Sequence, residues 1–365
     1  MGKRFWFAFL TLVVLIALVA YLRQSNSQPA KTIRNSIQTV VAPKFLTPTP
    51  MPFHELTIPY LRQQTYQSHL GSFEQVAKNQ NYTSYLTSYL SDGLKINGLL
   101  TVPSGAMPKD GWPAIVFVHG YIPPKQYATL ERYADYVDYL ASNGFVVFKI
   151  DLRGNGESQG EPTGAYYSSG YVVDTLNAYA ALQSAHEASP SATPGQSLVS
   201  INPNKIGLWG HSMAGNIVMR SWAVKRSIPA VVIWSGAGYT YTDLAKYKLH
   251  DPSFQPQPSS SDSATFRMRQ QLQKIYGMPD LNNPFWHDLA PVSFLSEVTG
   301  AIQIDQAQDD EVVSPNYNRD LMKLLDKTSI QHSMYEYPTG GHNIDGTSFT
   351  QAMEHTVEFY KKYLE

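Results

Sequence analysis

The sequence predicts an α/β protein whose mostly parallel central sheet is flanked by helices. Two patterns carry that prediction. Short continuous apolar runs recur along the chain, and amphipathic stretches of helical period lie between them. A short run that is apolar on both faces suits a strand covered from both sides, as in a parallel sheet.

In chain order, the first two strands differ from the rest. Tyr82–Leu90 alternates loosely, and Lys95–Val102 follows the turn Ser91-Asp92-Gly93, so the pair reads as an antiparallel hairpin. Continuous runs follow at Ala114–Val118, Phe145–Ile150, Ile206–Trp209 and Ala230–Trp234, with weaker ones at Ala301–Ile304 and Ser333–Tyr337. Helical spacing predicts Leu130–Ser142, where Tyr133, Val137 and Leu140 share a face that ends at Asn143-Gly144. Tyr171–His186 repeats the pattern through Val172, Leu176, Tyr179 and Leu182, and further helices are expected at Asn216–Arg226, Tyr317–Leu325 and Phe349–Tyr363. Ligands of such sheets bind beyond the carboxyl ends of the strands, so the residues just after each run are the candidates for chemistry.

Composition narrows that chemistry. The 365 residues carry 28 Lys+Arg and 29 Asp+Glu, a net charge of −1, so a dedicated nucleic-acid binder is not expected. With no cysteine there is no disulfide framework, thiolate zinc site or iron–sulfur cluster. No HExxH and no clustered His/carboxylate pattern appears, so neither a metal nor a cofactor is expected. At the N-terminus, Lys3 and Arg4 precede the uncharged stretch Phe5–Leu22, which as a helix would span about 27 Å, close to a bilayer core. We read residues 1–24 as an uncleaved signal anchor, with the chain beyond it outside the cytoplasm. The alternative is a cleaved signal peptide and a secreted protein. Residues 25–55, rich in Ser and Pro, read as an extended spacer before the main folded domain at 56–365.

The third parallel run ends in Gly210-His211-Ser212-Met213-Ala214-Gly215. A serine on a sharp strand-to-helix turn needs small residues two before and two after it, and Gly210 and Ala214 meet that demand. Ser212 would sit at a helix N-terminus, where developing negative charge is favoured. A serine hydroxyl needs a base. His342, in the Gly-rich stretch Pro338-Thr339-Gly340-Gly341-His342 after the last run, is the candidate. The acid that orients it should follow the penultimate run, where Gln308-Asp309-Asp310-Glu311 stands; we assign Asp309, with Asp310 as the alternative. The chain order Ser, Asp, His is that of a nucleophile on a strand-to-helix elbow. Oxyanion donors are expected from the backbone amides of Met213 and of Tyr121 in His119-Gly120-Tyr121. Asp151-Leu152-Arg153-Gly154-Asn155-Gly156 reads as a tight structural loop in which Arg153 and Asp151 pair or cap locally; the alternative is a substrate-carboxylate role for Arg153.

HGYIPP (119–124), DLRGNGES (151–158), GHSMAGN (210–216), QDDEVV (308–313) and GGH (340–342), in that order, resemble the α/β-hydrolase superfamily over about residues 90–365. Within it the chain is most similar to the catalytic domain of the prolyl oligopeptidase family, peptidase family S9. That resemblance implies a serine hydrolase cleaving peptide or ester bonds, membrane-anchored if the N-terminal reading holds, with Ser212 as nucleophile, Asp309 as first acid of the Asp-Asp pair and His342 as general base. Departures from the family are Ala214 in place of a glycine, and His119 where the dipeptidyl branch has an oxyanion-loop tyrosine. Those peptidases also place a large β-propeller before the catalytic domain, and the residues ahead of the first hydrolase strand are too few for one. The expected partner is therefore a small ester or a short peptide. Residues 239–290 are expected to form a lid, with Tyr239, Trp286 and His119 as candidate substrate contacts. The competing readings are a small-molecule carboxylesterase and, in a different class, a non-catalytic anchored binding protein on a hydrolase fold.

Overall fold

The computed structural model describes residues 14–24, 51–185, 199–247, 249 and 264–364. The chain divides into two units, Met1–Pro50 and Met51–Glu365. In the first, residues 14–24 form a solvent-exposed helix, α1. Among the described residues no helix is long and apolar enough to cross a membrane. Residues 1–13 of the expected anchor, and residues 25–50 of the expected spacer, lie outside the described residues.

The second unit is built on one sheet of nine strands. These are β1 (Glu74–Lys78), β2 (Tyr82–Ser91), β3 (Leu94–Pro103), β4 (Trp112–Val118), β5 (Val146–Ile150), β6 (Ile201–His211), β7 (Ala230–Trp234), β8 (Ala301–Ala307) and β9 (Gln331–Tyr337). Their spatial order is β1-β2-β3-β5-β4-β6-β7-β8-β9. β1, β2, β3 and β5 pair antiparallel in turn, and every pairing from β5 to β9 is parallel. The hairpin closes as read. Asp92 and Gly93 both take positive φ, 50° and 77°, the left-handed pair that matches the twist of the flanking strands. β1 had no signal: it is a largely exposed edge strand, without alternation, that pairs with β2 through a bulge between Gln75 and Ala77. β8 runs three residues past the apolar run because its polar side chains are buried but satisfied. Gln303 Nε2 donates to Asp305 Oδ2 at 2.8 Å, and the Tyr337 hydroxyl donates to Asp305 Oδ1 at 2.7 Å.

The helices lie on both faces. α2 (Ile58–Leu61), α4 (Gly170–Ser184) and α5 (Ala214–Lys225) contribute to one core; α3 (Ala134–Ser142) and α10 (Thr347–Leu364) contribute to the other. Alternation along β4 shows the division. Val116 and Val118 belong to the core that includes Leu176 and Ile217, whereas Ile115 and Phe117 belong to the one that includes Leu140 and Val357. Of the expected lid, the described part comprises α6 (Asp243–Lys246), α7 (Ala264–Tyr276) and α8 (Pro284–Leu289); residues 248 and 250–263 lie outside the described residues. α9 (Asn316–Leu325) follows β8.

Arg220, fully buried on α5, ties the segment before β1 to this framework. It has no carboxylate partner among the described residues. Its Nη2 donates to the Leu56 carbonyl at 2.6 Å and to Ser169 Oγ at 3.1 Å, and its Nη1 donates to the carbonyl of Ser168. Nearby, Arg62 donates to the Ala223 carbonyl from Nε and Nη2, at 3.0 and 2.7 Å. Arg220→Met keeps the length of the side chain but strands buried carbonyls at both ends of this link. It should cost about 2–4 kcal/mol in denaturant unfolding, with residues 51–62 becoming the first site of limited proteolysis.

Candidate active site

The strand-to-helix turn after β6 sets Ser212 at φ 56°, an unfavourable conformation for a side chain with a Cβ. Two close approaches permit it. A Cβ on Gly210 would stand 2.8 Å from the Ala214 carbonyl oxygen and 3.0 Å from Val218 Cγ1, so only glycine fits there. On the other side, the tight contact falls on Gly215, where a Cβ would meet Gly236 Cα at 2.7 Å. Ala214 is buried without that conflict, which is why the position tolerates a methyl group.

Ser212 Oγ lies 2.8 Å from His342 Nε2, and His342 Nδ1 lies 2.9 Å from Asp310 Oδ2. The partner of His342 is thus Asp310 and not Asp309, a correction to the sequence assignment. The amides of Val312 and Val313 explain it: both donate to Asp310 Oδ1, at 2.8 and 2.9 Å, and Gln306 Nε2 donates to Oδ2 at 3.1 Å. An aspartate that bonds the amides two and three residues on forms its own turn. That turn buries Asp310 and leaves Asp309 exposed. Burial pushes the Asp310 carboxyl up, but the His342 hydrogen bond and charge and the two valine amides outweigh it and hold the group below the usual carboxylate range. Asp309 instead accepts the amides of Gly341 at 2.8 Å and Gly340 at 3.3 Å, which shapes the loop that presents His342.

A second network joins the three loops. The Tyr133 hydroxyl accepts the Gly120 amide at 2.9 Å and lies 2.7 Å from His211 Nδ1, while His211 Nε2 lies 2.8 Å from the His342 carbonyl oxygen. Burial pushes His211 down to about 3, with the His342 charge adding to the effect, so the ring is neutral in ordinary buffers. The arrangement is then consistent: Nε2–H donates to the carbonyl and Nδ1 accepts from the tyrosine. The Tyr136 hydroxyl holds the next residue by donating to the Asn343 carbonyl at 2.8 Å. Sequence reasoning passed over Tyr133, Tyr136 and His211 as site residues. The only available signal was the histidine next to Ser212.

Beneath the turn that bears Tyr133 lie two buried charges. Lys149 Nζ donates to the carbonyls of Thr129 and Arg132, and Asp151 accepts from Thr129 Oγ1 at 2.7 Å and from the Tyr127 hydroxyl at 3.0 Å. Burial pushes Lys149 down to about 8 and Asp151 up to about 6. Arg153 does not pair with Asp151; it bonds Asp174 at 2.8 Å and Asp92 at 3.0 Å, away from the cleft. A cleft of about 310 Å³ opens over Ser212 and His342, lined also by Gly120, Tyr121, Ile122 and Arg132. Met213 begins the turn into α5, where the helix offers its amide no acceptor.

The three candidate substrate contacts are not brought to this cleft. His119 is buried, stacked on Tyr127 at 4.3 Å, with its nitrogens 2.7 Å from the Gly120 carbonyl oxygen and 3.0 Å from that of Asp151. Burial pushes it down to about 4, so the neutral ring donates to only one of them. Tyr239 is buried, with its hydroxyl donating to Asn318 Oδ1 at 2.8 Å. Trp286 is buried against Tyr167, Tyr241 and Phe285. Among the described residues no cluster of three or more His, Asp or Glu could hold a metal ion.

Comparison with known proteins agrees with this architecture. Residues 112–251 match the family model for serine aminopeptidases, S33, and residues 196–363 match that for the C-terminal part of BAAT and acyl-CoA thioester hydrolases. A puromycin-hydrolyzing peptidase from Mycobacterium tuberculosis superposes with a TM-score of 0.59 at 17% identity, over 79% of this chain and 40% of its own. An acetyl xylan esterase from Paenibacillus sp. R4 gives 0.55 at 15% identity, over 84% and 92%. Dipeptidyl peptidase 4 from Porphyromonas gingivalis gives 0.53 at 16% identity, over 78% and 36%. The chain thus spans well under half the length of the two peptidases. It has the α/β-hydrolase fold and resembles the catalytic domains of the S9 peptidases.

The two aspartates give separable outcomes. Asp310→Asn should lower the rate at which Ser212 is acylated by p-nitrophenyl acetate by about 10³–10⁴-fold, because the amide no longer fixes the His342 tautomer. Asp309→Asn should cost about ten-fold or less, since it weakens only the loop contacts. Tyr133→Phe tests the second network. A fall of about ten-fold in kcat, with KM within two-fold, is expected from looser placement of the Gly120 and His342 loops.

Proposed function

We propose that this α/β-hydrolase is a serine hydrolase that transfers an acyl group through a covalent intermediate, acting on small esters or short peptides. The observation that carries the reading is the unbroken chain of hydrogen bonds from Ser212 Oγ through His342 to Asp310, at the floor of an open cleft. In this reading the Ser212 hydroxyl attacks the carbonyl carbon while His342 Nε2 takes its proton. Asp310 holds the imidazole with Nδ1–H inward and stabilises the imidazolium. The amides of Met213 and Tyr121 receive the developing oxyanion. The Gly120 amide is already bonded to Tyr133, so the candidate passes to the next residue, Tyr121. His342 then returns the proton to the leaving group, and water repeats the sequence in reverse. A cleft of about 310 Å³ suits a substrate of small-molecule size. The basic residues Lys3 and Arg4 and the apolar stretch after them support a membrane-anchored enzyme facing away from the cytoplasm.

A fluorophosphonate probe should label the wild type and fail on Ser212→Ala, with His342→Ala slowing labelling at least a hundred-fold. Equal labelling of wild type and Ser212→Ala would sink the mechanism. A panel of p-nitrophenyl esters against aminoacyl-p-nitroanilides then separates esterase from peptidase.

A further inference from the structure

We propose that Arg132 anchors an anionic group, a carboxylate or a phosphate monoester, on the leaving-group half of the substrate. This rests on the serine-hydrolase reading of the cleft and assigns it a substrate class.

Arg132 shares the cleft with Ser212 and His342, and its side chain is exposed. Its bond to protein is a long one, from Nη2 to the Gln126 carbonyl at 3.4 Å, and among the described residues no carboxylate lies within ion-pair distance. Asp345 lines the same cleft and forms no ion pair with it.

The backbone that carries Arg132 is fixed with unusual expense. Lys149, wholly buried, holds the Arg132 carbonyl and that of Thr129, and buried Asp151 holds the Thr129 hydroxyl. Tyr133, the next residue, is locked at φ 60° with its hydroxyl bonded to the oxyanion loop. Burying two charges costs several kcal/mol unless each is well bonded, so a merely solvent-facing turn gains little from such support. Here it places one exposed, forked cation beside the reacting centre, in the form best suited to a planar anion.

The side of the substrate follows from proton traffic. His342 must deliver its proton to the leaving atom, so the leaving group lies along the wall formed by the His342 loop. Asn343 and Asp345 of that loop line the same cleft as Arg132. An anion on the departing alcohol or amine therefore reaches the guanidinium, whereas the acyl portion points elsewhere.

The test uses acetyl esters of one phenol scaffold: 4-acetoxybenzoate, 4-acetoxyphenyl phosphate and the neutral methyl 4-acetoxybenzoate. The readout is the ratio of kcat/KM for each anionic ester to that for the neutral one, compared between variants so that intrinsic reactivity cancels. Arg132→Ala should lower the ratio about ten- to hundred-fold, chiefly through KM, and Arg132→Glu should lower it further. Arg132→Lys should recover part of it, as a charge without the fork. Glu131→Gln, on the same turn but lining a separate groove, should keep the wild-type ratio. Comparison of the carboxylate and phosphate arms identifies which anion is preferred, and loss in either supports the anchor. An unchanged ratio in Arg132→Ala, with the neutral ester still turned over through Ser212, overturns the anchor and leaves the hydrolase reading intact. If no ester is hydrolysed and Ser212 is not labelled, both readings fall.

Discussion

The position of the His342 ring is the constraint on which the site depends. Its two nitrogens must face Ser212 and Asp310 at once, 2.8 and 2.9 Å away, from a loop that leaves the last strand of the sheet. Such a loop has little burial of its own, so its backbone has to be held by other elements. Three groups do so from three directions: Asp309 through the glycine amides, His211 through the His342 carbonyl, and Tyr136 through the Asn343 carbonyl. None of these three touches a reacting atom. Each removes freedom from the ring, and geometric looseness of an ångström costs orders of magnitude in rate.

The same economy governs the other wall. Lys149 and Asp151 spend their hydrogen bonds on one turn, and through Tyr133 that turn reaches both the Gly120 amide and His211. The oxyanion loop, the elbow and the histidine loop are therefore one hydrogen-bonded unit rather than three independent loops. Neutral His211 suits its place in this unit. Were it charged, it would oppose the imidazolium that the proposed mechanism places on His342, at a ring separation of 4.7 Å.

The fold was legible because its signals are local. Continuous apolar runs marked β4, β5 and β7 almost to the residue, since those strands are buried on both faces. The expected run stops short of the end of β8 because Asp305 looks like the start of a loop until its partners, Gln303 on β8 and Tyr337 on β9, are known. The pairing of Ser212 with His342 was legible, from the small residues around the serine and from the glycine-rich stretch that follows the last run. The choice between Asp309 and Asp310 was not, although Val312 and Val313 stood beside it: their side chains showed that the loop turns inward, but their amides decide which carboxylate turns with it. Tyr239 and Trp286 were read as a substrate surface because they sit in an insertion. The structure buries them in the main core, Trp286 against Tyr167 and Tyr239 bonded to Asn318.

Positive φ values show where the framework carries its strain. Leu152 after β5, Ser212 after β6, Ser235 after β7 and Ile344 after β9 all lie in the left-handed region, at 62°, 56°, 48° and 54°. All four follow the carboxyl ends of parallel strands, and no residue within those strands shares the conformation. Each costs of order 1 kcal/mol or more and persists only where the surroundings over-determine it. The determinants are the two cores on either face of the sheet, which hold the strand ends rigid while the turns beyond them bend sharply. The extensive burial of β4 through β8 is therefore what allows a strained serine, and the loops bonded around it, to keep one geometry in solution.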